Sequence, residues 1–155
     1  MLKIGEPAPG FELPDAGMDM VTLDQFRGEK KVVLFFYPKD DTPQCTLEAI
    51  AFSDMDEDFA RHDAVVIGIS PDDFLAHAAF RDKHGLSAQL LSDVEGEVCR
   101  SYGVWQEKQV DGVSRSSVGR ITYVIDRDGV IRHALTVGNA RGHAAEVLKL
   151  VKEVD

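Results

Sequence analysis

Two stretches of the chain are apolar at almost every position, whereas a half-buried strand would be apolar at every second one. They are residues 31–37 and 64–70, and both are rich in β-branched and aromatic side chains. Such runs are typical of strands buried on both faces of a parallel sheet. Between them, residues 43–61 carry apolar side chains at helical spacing, which predicts one helix. Thr42 is a good N-cap for it, and Pro43 suits its first position.

The rest of the chain predicts further short elements. The N-terminal segment, which contains Pro7, Pro9 and Pro14, is expected to be loop because proline does not fit a helix interior. The later elements, in order, are a helix opened by Pro71 and Asp72 and closed by Gly85, a short strand at Leu90–Leu91, a short helix capped by Ser92 or Asp93, a turn at Asp111-Gly112, a hairpin joining residues 120–125 to 130–135, and a helix over 144–151.

This order of elements predicts a fold class. Strands that alternate with helices favour a mainly parallel sheet covered on both faces, and the closing hairpin adds antiparallel strands. The pattern describes an α/β, thioredoxin-like fold: a mixed central sheet flanked by helices, with an N-terminal extension. We find no internal repeat or long linker, so residues 1–155 are predicted to form a single domain.

Composition and charge argue against several classes of function. Lys and Arg number 17 against 27 Asp and Glu, which gives a net charge of −10. So acidic a surface disfavours binding to nucleic acid or to anionic membranes, and no apolar run approaches the ~20 residues of a membrane span. The first residues lack the apolar stretch of a secretory signal. Two cysteines are too few for a disulfide scaffold, so we expect the protein to be in the reducing cytoplasm. There a cysteine either packs in the core or is chemically reactive.

Cys45 is the leading candidate for chemistry because it falls in the first turn of the predicted helix, on its apolar side. Unpaired backbone N–H groups and the helix dipole favour negative charge there, which predicts a lowered pKa and a nucleophilic thiolate. Thr42 places a hydroxyl beside the sulfur. From the residues alone, Cys45 could equally be a small apolar core residue, and Thr42 only an N-cap.

A longer motif surrounds these two residues. Residues 36–46 read Phe-Tyr-Pro-Lys-Asp-Asp-Thr-Pro-Gln-Cys-Thr. This segment resembles the active-site loop of the peroxiredoxins, Pro-x-x-x-Thr-x-x-Cys, and within them the Q-type branch, also called bacterioferritin comigratory proteins. Further similar blocks follow in order at residues 5–11, 66–72, 90–93, 102–105 and 120–126, so the resemblance covers nearly the whole chain.

The resemblance implies a thiol peroxidase that reduces hydrogen peroxide and organic hydroperoxides. Cys45 matches the peroxidatic cysteine, Thr42 would orient the peroxide, and Pro38 would shield the pocket. Arg120 matches the arginine that enters from a later strand, where it would hold the thiolate charged and contact the peroxide oxygens. Glu48, one turn beyond Cys45, is expected either to buttress Arg120 or to be an ordinary solvated helix residue.

The resemblance also implies the partners. No metal, haem or flavin is required, and the reductant would be thioredoxin or a small-molecule thiol. The Q-type branch suggests a monomer. His77 and His84 lie seven apart on one helix, but without a third ligand at suitable spacing we interpret them as surface histidines rather than metal ligands.

The sequence departs from the pattern at the resolving cysteine. Many Q-type members carry one five residues after the peroxidatic cysteine, where this chain has Ile50. Cys99 is the other thiol, and its place on the packed side of a short helix favours a structural role. We therefore expect a one-cysteine cycle, with a two-cysteine cycle through Cys99 as the alternative. That alternative would require local unfolding of the first helix turn.

Rival classes fit less well. A disulfide reductase on this fold needs Cys-x-x-Cys, and Thr42 stands where the first cysteine would be. A nucleotide-binding α/β domain needs a glycine-rich loop after a strand, and none is present. A non-catalytic binding or chaperone module remains the alternative from a different class, and it predicts a slowly reacting Cys45 with an ordinary pKa.

Overall fold

The computed structural model describes the backbone of residues 1–155 and every side chain except that of Lys108. The strands are β1 (Glu12–Pro14), β2 (Met20–Thr22), β3 (Lys31–Phe36), β4 (Ala64–Ser70), β5 (Gln89–Ser92), β6 (Trp105–Val110), β7 (Val113–Val118), β8 (Ile121–Ile125) and β9 (Ile131–Thr136). The helices are α1 (Pro43–Asp54), α2 (Asp56–Arg61), α3 (Phe74–His84), α4 (Glu97–Ser101) and α5 (Ala140–Glu153). Within this described chain, no helix is both long and apolar enough to cross a bilayer.

The central sheet has the strand order β5-β4-β3-β8-β9. β3, β4 and β5 run parallel, while β8 pairs antiparallel with both β3 and β9. The predicted mixed sheet flanked by helices is confirmed. The predicted strands at 31–37 and 64–70 and the hairpin of residues 120–135 are confirmed to within a residue or two.

Neighbouring residues of β3 face opposite sides of the sheet, because side chains alternate along a strand. Val32, Leu34 and Phe36 belong to a core completed by the N-terminal segment and α4. Val33 and Phe35 belong to a second core, completed by side chains of α1, α2, α3 and α5. All of these β3 side chains are essentially inaccessible to solvent. The sheet therefore separates two apolar layers, which explains why β3 has no polar face.

The predicted helix over residues 43–61 is wrong in one respect, because it is broken at Met55 into α1 and α2. The break places three acidic residues in the first turn of α2, where a helix dipole favours negative charge. A continuous helix would put those charges in its interior. Phe52 and Phe59 still pack together on either side of the break, with ring centroids 5.9 Å apart.

The chain termini are more ordered than the sequence predicts. β1, which lies in the N-terminal segment expected to be loop, pairs antiparallel with β2. The turn between them is held by Asp15, whose carboxylate accepts hydrogen bonds from the backbone N–H groups of Gly17 and Asp19. The last helix begins at Ala140 rather than 144, because the Asn139 side chain caps it by accepting from the N–H of Arg141.

β6 and β7 form a separate two-stranded sheet. Asp111 and Gly112 connect them and both have positive φ, as a tight hairpin turn requires. The turn predicted at these two residues is therefore confirmed. This hairpin leads directly into Arg120 and β8.

Candidate active site

Cys45 is held in the first turn of α1, directly after the loop that leaves β3. Its side chain is 2 % exposed and packs in the same core as Phe35, Ala49 and Phe52. Thr42 takes the extended backbone conformation of an N-cap, but its hydroxyl does not cap the helix. The hydroxyl instead donates to the carbonyl oxygen of Lys39, 2.9 Å away. The predicted place of Cys45, on the apolar side of the helix at its N-terminal end, is confirmed.

The predicted lowering of the Cys45 pKa is wrong for this conformation. Burial removes water from the sulfur and raises the pKa of the Cys45 thiol. Hydrogen bonding by Thr42 and by the Lys39 backbone lowers that pKa, and so does the charge of Arg120, but burial has the largest effect. The helix-dipole argument considered only the helix end and omitted the apolar layer into which the thiol points.

Arg120 and Glu48 approach Cys45 from different elements, the segment before β8 and helix α1. Arg120 lies just before β8, and its position puts it on the same face as Thr122, which is the face that Cys45 packs against. Its Nη1 atom is buried and has no hydrogen-bond partner in the part of the chain that the structure describes. Glu48 is 1 % exposed, and neither of its carboxylate oxygens has a hydrogen-bond partner among the described side chains. The interpretation of Glu48 as a solvated residue is therefore wrong.

Burial raises the pKa of Glu48 to about 8, although the charge of Arg120 acts against this. At neutral pH the Glu48 carboxyl is therefore mostly neutral and can donate a hydrogen bond. Ionised Glu48 would in turn raise the pKa of Cys45. The three groups form an electrostatically coupled set in which Arg120 favours the thiolate and ionised Glu48 opposes it.

Pro38 lies half-buried at the start of the loop. The N–H of Tyr37, just before it, donates to the Ile69 carbonyl and so continues the pairing of β3 with β4 by one residue. Because proline has no N–H to donate, the ladder ends there and the chain turns away toward α1.

A buried polar network that local sequence patterns do not reveal lies beside this loop. Tyr37 donates its hydroxyl proton to Asp40 over 2.7 Å, and the other carboxylate oxygen of Asp40 lies 2.6 Å from Nδ1 of His77. The backbone N–H of Asp40 donates to Asp72, which also accepts from Ser70. The network joins residues up to 37 positions apart, so a reading of local spacing does not find it.

The interpretation of His77 as a surface histidine is wrong, because its side chain is 0 % exposed. Asp40, Asp72 and His77 bring one potential ligand atom each within 4.8 Å of one another. The same carboxylates are already accepting hydrogen bonds from Tyr37, Ser70 and backbone N–H groups. We therefore describe the cluster as a hydrogen-bonded network rather than a metal site.

A second histidine missed by the sequence reasoning also lies close to Arg120. His143 of α5 is buried and shares a 2.8 Å hydrogen bond with the hydroxyl of Thr122. Burial lowers the pKa of His143, and the nearby charge of Arg120 acts in the same direction. A neutral imidazole adds no second positive charge beside Arg120.

Cys99 lies in the other core. Its sulfur belongs to the layer formed with Leu34 and Phe36, whereas Cys45 belongs to the layer on the opposite face of the sheet. The cap predicted at Ser92 or Asp93 is wrong in position, because the helix begins at Glu97 with Gly96 as its N-cap. Asp93, three residues before Gly96, still accepts hydrogen bonds from the backbone N–H groups of Val98 and Cys99. Burial, and then the Asp93 carboxylate, raise the pKa of Cys99 far above the ordinary thiol value.

Comparison with known proteins identifies the family of the chain. Residues 4–134 match the AhpC/TSA family. A curated relative from Coxiella burnetii, named a putative peroxiredoxin bcp, is 42 % identical over 147 residues, which are 95 % of this chain and 97 % of that protein.

Solved structures agree as well. A mutant of Xylella fastidiosa PrxQ superposes with a TM-score of 0.91 at 30 % identity, covering 99 % of this chain and 97 % of that one. The Xanthomonas campestris bacterioferritin comigratory protein, studied for alkyl peroxide reduction, gives a TM-score of 0.88 at 30 % identity over 92 % of this chain and 90 % of that one. These likenesses confirm the thioredoxin-like fold. The chain belongs to the AhpC/TSA family, in its peroxiredoxin Q, or Bcp, branch, and is a thiol peroxidase.

Proposed function

We propose that this peroxidase reduces hydrogen peroxide and organic hydroperoxides through a sulfenic acid at Cys45, in a one-cysteine cycle completed by an external thiol. The observation that carries the proposal is the position of the two cysteines in separate cores, with the central sheet between them. Support for organic hydroperoxides comes from the apolar surroundings of Cys45 and from the alkyl peroxide reduction named for the Xanthomonas relative.

In the first step the Cys45 thiolate attacks the terminal oxygen of the peroxide. The S–O bond forms as the O–O bond breaks, and the leaving oxygen takes a proton to become water or an alcohol. Arg120 stabilises the thiolate and the charge that develops on the leaving oxygen. The Thr42 hydroxyl must turn from the Lys39 carbonyl to donate to a peroxide oxygen, since it has only one proton. Pro38 would shield the pocket from water.

In the second step a thiol attacks the sulfenic acid, releases water and leaves a mixed disulfide on Cys45. A second thiol then releases the reduced enzyme and a disulfide. Cys99 is badly placed for the attack, because a disulfide needs Cα atoms within ~7 Å and the sheet stands between the two residues. Its strongly raised pKa also leaves almost no thiolate to attack with.

The external reductant must reach a sulfur that is 2 % exposed. A small thiol needs only a modest opening of the loop. Thioredoxin, a macromolecule, needs the first turn of α1 to open, because its own reactive sulfur must approach the Cys45 sulfur to bonding distance. A monomeric state and a cytoplasmic location remain predictions from the sequence.

The decisive experiment is intact-mass analysis after one equivalent of hydrogen peroxide, with a sulfenic-acid trap present and the modified residue mapped. We expect one adduct on Cys45 and a free thiol at Cys99, and the same adduct in Cys99→Ala. A loss of two hydrogens with a Cys45–Cys99 link in the wild type would contradict the one-cysteine cycle. No reaction at Cys45 would contradict the assignment of Cys45 as the peroxidatic residue.

A further inference from the structure

The active-site loop, residues 37–42, contacts helix α3 through two adjacent carboxylates of the loop. Asp40 points inward, where it meets His77 of α3 at 2.6 Å. Asp41 points outward and pairs with Lys83 and His84, near the end of the same helix, at 2.6 and 2.9 Å. The inner contact is buried and the outer one is exposed to water. Exposed pairs of this kind contribute little, so the inner contact dominates the attachment of the loop.

Counting the available protons shows that the buried contact between His77 and Asp40 is a strong one. Nε2 of His77 lies 2.9 Å from the carbonyl oxygen of Leu91, which can only accept, so Nε2 carries a proton. One further proton must lie between Nδ1 and Asp40, whichever atom holds it. The second oxygen of Asp40 accepts from Tyr37, and burial with the charge of Asp40 raises the pKa of that phenol, so Tyr37 remains a donor. Both oxygens of Asp40 are therefore bonded out of contact with water.

Asp40 stands in the middle of the loop, two residues after Pro38 and two before Thr42. Its backbone N–H is fixed as well, by Asp72 in the segment that follows β4. Anchoring this one residue fixes the path of the chain from the end of β3 to the N-terminus of α1. The geometry that places Thr42 beside Cys45 depends on that path.

We propose that His77 is a positioning residue for the peroxidase reaction, acting through Asp40 to hold the loop in the conformation that presents Thr42 and Cys45 to the peroxide. The proposal rests on Cys45 being the peroxidatic residue. His77 touches no reacting atom; its effect is transmitted through the Asp40 carboxylate.

This role affects the two halves of the cycle differently. Attack on peroxide needs the closed loop, with Thr42 in place. Attack on the sulfenic acid by an external thiol needs the loop to give way, since Cys45 is almost fully covered. The loop and α3 border a cavity of about 210 Å³, lined in part by Asp40, Asp72 and Phe80, which leaves room for the loop to move once Asp40 is released. Loosening the anchor therefore slows oxidation but not reduction.

Two substitutions separate the contacts of His77. In His77→Asn the amide nitrogen stands near the place of Nδ1 and can donate to Asp40, while the contact to Leu91 is lost. In His77→Gln the longer side chain reaches toward Leu91, while the contact to Asp40 is lost. Tyr37→Phe removes only the hydroxyl that bonds Asp40, so it serves if a histidine variant does not fold. Asp41→Asn, which weakens the exposed contact of the same loop with the same helix, is the matched control.

The rate of sulfenic-acid formation is measured by trapping and mass analysis after rapid mixing with hydrogen peroxide. The rate of sulfenic-acid loss is measured separately with dithiothreitol. We expect His77→Gln to slow oxidation about 10- to 100-fold, the scale of a small misplacement of reacting groups, with reduction unchanged or faster. His77→Asn should recover most of the oxidation rate, Tyr37→Phe should slow oxidation to a smaller extent, and Asp41→Asn should leave both rates near those of the wild type.

Three results would overturn the proposal: a folded His77→Gln that oxidises at the wild-type rate, equal losses in His77→Asn and His77→Gln, or a parallel loss of both rates in His77→Gln. If His77→Gln does not fold, an unchanged oxidation rate in Tyr37→Phe overturns it. Failure of the underlying function looks different, because the wild-type protein would then form no trapped sulfenic acid at Cys45 at all.

Discussion

Cys45 and Cys99 are almost equally buried, at 2 % and 0 % exposed, yet their neighbours give them opposite character. The positive charge of Arg120, and the Thr42 hydroxyl once it turns from the Lys39 carbonyl, act to stabilise a thiolate at Cys45. At Cys99 the nearest carboxylate, Asp93, opposes ionisation and adds to the effect of burial. The comparison shows that exposure does not distinguish the proposed peroxidatic thiol from the other one. The groups that face each sulfur do, because the Lys39 backbone and Arg120 act to lower the pKa of Cys45 whereas Asp93 raises that of Cys99.

The largest effect should come from Cys45→Ser. A hydroxyl is far less nucleophilic than a thiolate, so we expect peroxidase activity to fall by about 10³-fold or more, as nucleophile deletions do in other enzymes. The measurement is steady-state peroxide consumption with an excess of thiol. Activity that survives in this variant but disappears in Cys99→Ala would reverse the assignment of the two cysteines.

Arg120→Met should rank second. The variant keeps the bulk of the side chain and removes the positive charge that favours the thiolate and the leaving oxygen. We expect oxidation of Cys45 to slow by about 10²- to 10³-fold, the usual cost of losing one electrostatic contact to a transition state. The matched control is Arg100→Met, because Arg100 lies over the Trp105 ring, away from Cys45. Equal losses in both variants would refute a specific role for Arg120.

The burial of Glu48 beside Cys45 can be tested through the pH dependence of the unfolding free energy. Its folded pKa of about 8 exceeds its ordinary 4.5, so between these values the folded protein holds a proton that the unfolded chain has lost. The stabilising effect of that proton is complete below pH 4.5 and is lost as pH rises toward 8. The contribution falls by at most about 1.4 kcal/mol per pH unit.

Glu48→Gln should remove this dependence. Urea unfolding between pH 5 and pH 8 should show a steeper decline of unfolding free energy for the wild type than for Glu48→Gln. The variant also lacks the negative charge that raises the Cys45 pKa, so its alkylation profile above pH 8 should shift to lower pH. Identical slopes in the two proteins would mean that Glu48 is ionised throughout and finds a partner in solution.

The smallest effect on activity should come from Cys99→Ala. We expect peroxide reduction within about 2-fold of the wild type, with a cost of about 1 kcal/mol in unfolding free energy for the small void left in the core. Unfolding is measured by urea titration under reducing conditions. A large loss of turnover with an intact fold would show that Cys99 does take part in the cycle.

Much of the fold could be predicted because its signals are local. The continuous apolar runs of β3 and β4 identify strands covered on both faces, and Asp111-Gly112 identifies a tight turn. β1 and β2 were missed because each is only three residues long, and β1 ends in Pro14. The break at Met55 was missed because apolar spacing continues across it.

The site could be predicted only in part. A cysteine placed just after a helix N-cap marks Cys45 as a candidate, whereas the roles of Thr42, Arg120, Pro38 and Glu48 are predictions from the family resemblance. His77 was misread because its partner Asp40 is 37 residues away and its burial depends on tertiary packing. The pKa of Cys45 was expected to be lowered rather than raised, because the depth of the apolar layer around the sulfur depends on tertiary packing and not on the local sequence.

The break at Met55 also limits how far a disturbance of the active site can travel. Proteins open locally in roughly contiguous cooperative units rather than residue by residue. At Met55 the backbone leaves the helical conformation, with φ of −102° and ψ of 6°. Unravelling α1 to admit a reductant can therefore stop there, and α2 with its buried Phe59 stays folded. In the proposed cycle only the first turn of α1 needs to open to admit thioredoxin, so the break at Met55 marks the outer limit of that opening.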